Sequence, residues 1–374
     1  MTTRSPVTIA DVARHAGVST ATVSFVLNKT KSVTAEVRDR VLRSTQELGY
    51  QPSHAARALR TGRTATIGLI IPDLTNPFFP KLAQDVEREA AALGYAVLLA
   101  DSHDDLERQS RAIQNMEGKN VDMMLVIPAL GTLSLPTTAV PMVMLDRSLP
   151  GQKELSQKEH RQGTAGRHLN VSSDEFSGGQ LAAAHLLGLG HTAFAILAGP
   201  AQATVTQATV TQATASSSPA EVRNSGGHSR RVQGMLSALQ RAGISEADTV
   251  LVHSDYTAEG GRQATHDLLR SEQVFTAMLA TSDTLALGAL SALQHAGRRV
   301  PQDVSLVGFD DIPWAALSFP ALTTIRQQTA ELARQAVALA LSSGTSSSST
   351  PAQPGLVPTQ LVVRGSCGPA GGTS

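Results

Sequence analysis

Cysteine is nearly missing from this chain. Of 374 residues only Cys367 is a cysteine, so neither an intrachain disulfide nor a cysteine zinc site can form. No apolar run approaches the roughly 20 residues that span a bilayer. The opening MTTRSPVTIADVARHAGV has no apolar h-region of a secretory leader. These absences predict a soluble, cytoplasmic chain with no membrane partner. Aromatic residues make up only 3%. Catalytic signatures are missing as well: there is no G-x-G-x-x-G, no G-x-x-x-x-G-K-[ST], no H-E-x-x-H and no G-x-S-x-G, and the eleven histidines do not cluster at metal-ligand spacing. No catalytic residue, metal or cofactor is expected, and an enzyme on a Rossmann-like body is the weakest of the function classes. What is present is a globular composition, 41% apolar, long enough for two or three domains.

Net charge is zero, but the zero hides an asymmetry. Residues 1–65 carry ten Lys/Arg against four Asp/Glu, a balance of +6, and the remainder carries −6. A small basic head on a larger acidic body suits a polyanion, although a solvated basic tail would have the same composition. The head reads as three short helices. Thr8 precedes an apolar face of Ile9, Val12 and Ala13 and stands at the N-cap, with Asp11 in the first turn. Gly17 breaks that helix. Ser19 caps a second, Thr20 to about Leu27, and Thr34 caps a third, which carries Val37, Val41 and Leu48 inward and stops at Gly49. Two short helices across a glycine turn, closed by a third, form a helix-turn-helix. The second helix would present Thr20, Ala21, Ser24 and Phe25 to the major groove, and Ser19 and Thr22 at its start could hold phosphates. The same pattern would serve a three-helix protein-binding module.

The run TIADVARHAGVSTATVSFVLN resembles the N-terminal signature of the lactose/galactose repressor (LacI/GalR) family. The resemblance continues through VTAEVRDRVLRSTQELGYQPSHAARALRTGRTATIGLIIPDLTNPFF and, with interruptions, to about Arg364. It implies a DNA-contacting set of Thr8, Ser19, Thr20, Ala21, Thr22, Ser24, Phe25 and Asn28 in the head. Thr20, Ala21 and Phe25 stand at the family's base-reading positions, and none can make the bidentate bonds of Arg or Gln to a purine. Residues 52–63 are too short for an isolated helix in water. The resemblance implies that they fold as a hinge helix on DNA, with Leu59 wedged into the minor groove between Arg57 and Arg60. A linker with Leu59 docked on the body is the alternative.

From Thr66 strand-length apolar runs alternate with helix-length amphipathic stretches. Candidate strands are Thr66–Ile71, Ala96–Ala100, Val121–Ile127, Pro141–Leu145, Leu169–Ser172, Ala193–Ala198, Val250–His253, Thr276–Thr281 and Val304–Gly308. Helical stretches lie at 81–93, 178–189, 231–242, 258–269 and 284–296. The fold class is α/β, and the expected plan is a helix-turn-helix domain (1–51), a hinge (52–63) and a periplasmic-binding-protein-like body (64–374). That body would have two doubly wound parallel-sheet lobes, the first about 64–163 plus 328–345, the second about 164–327 plus a C-terminal strand. Ligands of such sheets bind at the strand C-termini. The resemblance implies that Asn76, Phe78, Phe79, Asp146, Arg147, Arg231, Tyr256, Asp283 and Asp310 line a cleft there for a sugar-like effector. Phe78 and Phe79 could equally be core, and Asp310 a turn cap. Two polar segments, 152–167 and the QATVT repeat of 202–214, read as surface loops, as does 342–355, and 365–374 reads as a frayed tail. The whole implies a ligand-controlled repressor that grips a near-palindromic DNA operator as a homodimer, with a metabolite sensor lacking operator specificity as the alternative.

Overall fold

The computed structural model describes residues 7–28, 30–50, 63–132, 134–147, 169–200, 202–203, 226–227, 229–271, 273–343 and 355–371. The chain divides between Ala65 and Thr66 into two compact units. The first holds helices α1 (Ile9–Ala16), α2 (Thr20–Asn28) and α3 (Ala35–Glu47). Thr8 and Asp11 form a reciprocal capping box: the Asp11 amide donates to Thr8 Oγ1 (3.4 Å) and the Thr8 amide to Asp11 Oδ2 (3.0 Å). Gly17 closes α1 at φ +63°, a conformation that an L side chain resists, and Ser19 Oγ accepts the Thr22 amide at the start of α2 (3.1 Å). Thr34 precedes α3 as expected but makes no side-chain capping bond. Val12, Ala13, Ala16, Val23, Val26 and Val41 are buried together between the helices.

The second unit has two sheets. The first runs β2 (Ala96–Asp101), β1 (Thr66–Ile71), β3 (Met123–Val126), β4 (Met142–Leu145), β5 (Leu169–Val171), all parallel. Helices α4 (Phe78–Ala92) and α5 (Leu106–Gly118) belong to it. The second sheet runs β13 (Gln360–Val362), β12 (Thr323–Arg326), β11 (Ser305–Asp310), β10 (Ala277–Ala280), β6 (Phe194–Ala198), β9 (Thr249–His253), and only β13 is antiparallel. Its helices are α6 (Glu175–Gly188), α7 (Arg230–Arg241), α8 (Ala258–Arg270), α9 (Asp283–His295) and the short α10 (Pro313–Leu317). A two-residue ribbon, β7 (Gln202–Ala203) with β8 (Gly226–Gly227), stands apart. Strands β3, β6, β10 and β11 are buried along their whole length, as expected of parallel strands covered on both faces. The edge strands β2, β5, β9 and β13 are only partly buried.

The chain crosses between the sheets more than once. After β12, α11 (Thr329–Ser343) returns to pack on α4, β3, β4 and β5, and β13 then rejoins the second sheet. The Asp85 carboxylate on α4 fixes that return, accepting from Lys81, Arg88 and the Thr329 hydroxyl. Three expectations need correction. Leu169–Val171 pairs with β4, so residues 169–171 close the first sheet rather than open the second lobe. Ser342 lies in the last turn of α11 rather than starting a loop. Residues 365–371 are tied down: Ser366 Oγ donates to Leu306 O and accepts the Thr323 amide, Gly368 bonds Ser305 and the buried His191, and the Ala370 amide bonds Leu189 O. The backbone of that segment is paired with protein, which a frayed tail would leave to water. Residues 152–167, 204–214 and most of the hinge lie outside the described residues.

Candidate functional site

The head presents one surface of mixed character. On α2, Ser19, Thr20, Ala21 and Asn28 are exposed, and Thr22, Ser24 and Phe25 half-buried. Several side chains are already engaged locally. Asn28 Nδ2 donates to Ser24 O (2.8 Å) and Ser24 Oγ (3.2 Å), and the Ser19 and Thr22 hydroxyls bond each other (2.9 Å). Lys31 Nζ lies 4.9 Å from the Phe25 ring centroid, a cation–π contact that also covers the ring. Thr20 and Ala21 therefore offer a hydroxyl and a methyl to solvent, and Arg38, Arg40 and Arg43 add exposed positive charge on α3. Such a surface suits phosphates and thymine methyls more than purine edges. Arg57, Leu59 and Arg60 lie outside the described residues. Lys31 was absent from the expected set, and its sequence signal was only that of a basic loop.

In the body, charged side chains collect beyond the C-terminal ends of both sheets. Asp146 follows β4 at φ +65° and Asp310 ends β11 at φ +116°, backbone that non-glycine residues rarely adopt and that often marks a working site. Arg231, in the first turn of α7, bonds groups at the end of the second sheet. Its Nε donates to Glu175 Oε1 (2.8 Å) and its Nη1 to Asp310 Oδ1 (3.0 Å) and Thr281 O (2.7 Å), with the guanidinium 4.1 Å from the Phe309 ring centroid. Close helix packing makes this reach possible. A Cβ at Gly179 of α6 would fall 2.1 Å from Arg231 O, and one at Gly234 of α7 would fall 2.0 Å from Phe176 O. Only two glycines let α6 and α7 approach enough for Glu175 to meet Arg231.

Burial sets the electrostatics. Asp146 is 4% exposed, and its carboxyl is pushed up to about 7 by burial and then by the Glu175 charge, against the pull of Arg231 and Arg147. Asp310 is pushed up to about 6, again first by burial, with Arg231 opposing. Arg231 is held above its ordinary value by Asp310, Glu175 and Asp146 although burial works the other way. Two acceptors here have no hydrogen-bond partner among the described residues: Asp146 Oδ1 and Gln327 Oε1. Gln327 Nε2 donates to Asp310 Oδ1 (2.7 Å), so its free oxygen belongs to the same cluster.

The other expected residues divide. Arg147 joins the rim: it donates to Asp104 Oδ1 (2.6 Å) and Pro128 O (3.1 Å) and lies 5.7 Å from the Phe79 ring centroid. Phe78 and Phe79 are buried in the main core, their rings edge to face, so both pack, and the Phe79 ring also meets Arg147. Asn76 Oδ1 accepts the Phe78 amide (3.2 Å) and faces the Thr284 hydroxyl of α9 at 3.5 Å. The Tyr256 ring lies where a Cβ on Gly199 would stand, and the Gly199 amide donates to Thr281 Oγ1 (3.1 Å). Asp283 is engaged by the fold. It is fully buried, one oxygen accepts the Thr324 hydroxyl and the other the Ile312 amide (2.8 Å), so its carboxyl joins α9 to β12 and α10. Glu175, Gln327, Thr281 and Phe309 complete the cluster and were not expected. Glu175 had a faint signal, an acid opening a helix, and the remaining three had none.

Comparison with known proteins fits both halves of this geometry. Residues 8–53 match the profile described as bacterial regulatory proteins, lacI family, and residues 183–367 that of a periplasmic binding protein-like domain. The HTH-type transcriptional repressor PurR of Pectobacterium carotovorum subsp. carotovorum (strain PC1) is 34% identical over 339 residues, 89% of either chain. The chain belongs to the LacI family. The ribose operon repressor of Halalkalibacterium halodurans is likewise 34% identical, over 86% of this chain and 85% of its own. A crystal structure of the lac repressor dimer bound to operator and the anti-inducer ONPF superposes with a TM-score of 0.74 at 27% identity, covering 97% of this chain and all of that one. This LacI-family member is thus a DNA-binding transcriptional regulator of repressor type and not an enzyme. Among its described residues no helix is long and apolar enough to cross a membrane.

Proposed function

We propose that this LacI-family protein is a cytoplasmic repressor that binds a near-palindromic operator as a homodimer and responds to a sugar-like effector held by the acid–arginine cluster. The observation that carries the effector reading is the pair of unpartnered acceptors, Asp146 Oδ1 and Gln327 Oε1. Buried acceptors are normally satisfied, so a site that leaves two open is matched to a ligand presenting O–H donors. In this reading Asn76, Phe79, Asp146, Arg147, Arg231, Tyr256 and Asp310 face the effector, joined by Glu175 and Gln327. The head contacts DNA through Thr8, Ser19, Thr20, Ala21, Thr22, Ser24, Phe25 and Asn28, and through Arg57, Leu59 and Arg60 of the hinge.

The exposed side chains of Trp314 (52%), Leu317 (80%) and Phe319 (89%) fall within six residues and suit burial against a second copy. A pair related by a two-fold axis would place two heads on two half-sites. Operator and effector then alter each other's affinity by the same factor. The test is footprinting of the purified chain on genomic fragments, with and without a panel of free sugars. A symmetric footprint that one sugar weakens or strengthens supports the reading, and protection of no fragment under any condition overturns it.

A further inference from the structure

Charge is out of balance in the effector crevice. Asp146 faces it from the end of β4, Glu175 from α6, Asp310 from β11, and Arg231 from α7 is the one cation that bonds acids of this group. The neighbouring Arg147 gives its short bond to Asp104 (2.6 Å) and only tempers Asp146, Tyr256 brings no positive charge, and the buried Asp283 adds a further acid beside Asp310, while Asp311 is paired with Arg326 and Arg364. Asp146 and Asp310 are buried and Arg231 is nearly so. Three carboxylates around one guanidinium leave a negative excess in a space with little water to screen it, and like charges so confined do not all ionise.

We propose that the ligand-free crevice is proton-loaded around neutral pH, the acids about Arg231 sharing a proton that Asp146 carries on the side of its unpartnered oxygen. This rests on the reading of the crevice as the effector site and adds its regulation: a hydroxyl donating to Asp146 meets its strongest acceptor only after that proton leaves. Effector affinity is therefore linked to pH, and through it so is the grip on DNA. The raised values of Asp146 and Asp310, about 7 and about 6, agree with the geometry.

The sign follows from linkage. A carboxyl whose folded value is raised from 3.8 to about 7 binds more protons folded than unfolded across that window. Stability associated with it is full at low pH and is lost as pH rises through neutrality. Asp146→Asn mimics the protonated form and removes that loss. The experiment is thermal unfolding of the full chain, without effector, from pH 5 to pH 8, for the native protein and Asp146→Asn. The gap between the two melting temperatures should widen by about 4 °C from pH 5 to pH 8, with the variant gaining on the native chain. Parallel curves, or a variant less stable by the same margin at every pH, overturn the proposal. If Asp146→Asn does not fold, Asp310→Asn decides: it keeps an acceptor for Arg231 and must gain on the native chain in the same direction, and failure to gain overturns the proposal. Loss of operator binding would refute the regulatory reading and leave these curves unchanged, so the two failures are distinguishable.

Discussion

Replacing Asp283 by alanine tests whether this carboxyl belongs to the fold or to the effector. It is fully buried, and its two oxygens serve the Thr324 hydroxyl and the Ile312 amide. Removing it strands a backbone N–H and a hydroxyl away from water, each costing about 1–3 kcal/mol. Relief from burying a carboxyl, whose value burial raises well above the ordinary range, offsets part of this. A net loss of about 2–4 kcal/mol corresponds to a fall of roughly 3–6 °C in melting temperature for a body of this size. Asp283→Asn should behave differently. Because burial favours the protonated acid, an amide is its near-isostere: the oxygen accepts from Ile312 and the NH2 faces the Thr324 hydroxyl, so the expected loss is below about 1 kcal/mol. Thermal unfolding of the three proteins reads the contrast directly. The reasoning is refuted if alanine melts within 2 °C of the native chain, or if asparagine falls as far as alanine. A normal melting temperature with a lost effector response would instead put Asp283 in the ligand's path.

Arg231→Ala leaves Glu175, Asp310 and Asp146 without their shared cation and should cost about 3–5 kcal/mol while abolishing the effector response; unfolding and footprinting together check it. Gly179→Val should prevent α6 and α7 from closing, and a soluble variant with native melting temperature would contradict the 2.1 Å approach to Arg231 O. Thr8→Ala removes one half of the capping box and should destabilise the head by about 1 kcal/mol, read as weaker operator binding with the body's unfolding unchanged. Leu59→Ala should weaken operator binding several-fold and abolish DNA bending, and unchanged bending in a circular-permutation gel would remove the wedge.

The head was legible because its determinants are local. Thr8 acts on Asp11 and Ser19 on Thr22, each three residues away, Gly17 acts through its own backbone, and the apolar spacing on α1 and α2 predicts the core that forms. The strands of the body were legible for a similar reason, since runs such as Leu69–Ile71 and Met123–Val126 are apolar along their whole length. Which sheet a strand joins was not. Leu169–Val171 has the same local pattern whether it pairs with β4 or opens the next lobe, and its neighbour is decided by side chains far away in sequence. The terminal segment was misread on the same ground. Its composition is that of a loose end, and it is ordered by His191, Ser305 and Thr323, which lie more than 40 residues upstream.

For the site, the sequence identified charges and could not identify their partners. Asp146, Arg147 and Arg231 stand out because an ion at a strand or helix end inside a fold needs a counter-ion, whereas Asp310 reads equally as a turn cap. Asp283 carried the same expectation, and its carboxylate is bonded within the chain, its partner Thr324 lying 41 residues away on another strand. What separates the two cases is the count of acceptors left open. Asp283 has both oxygens bonded by the chain, and Asp146 has one that nothing in the described structure meets. A carboxylate already satisfied by its own fold has nothing left to offer a ligand. One held at 4% exposure on strained backbone, unpaired beside two other acids, is costly to the folded state and is offset only when something donates to it. That cost is the physical reason to locate the sensing of this repressor at Asp146 and the arginine opposite it.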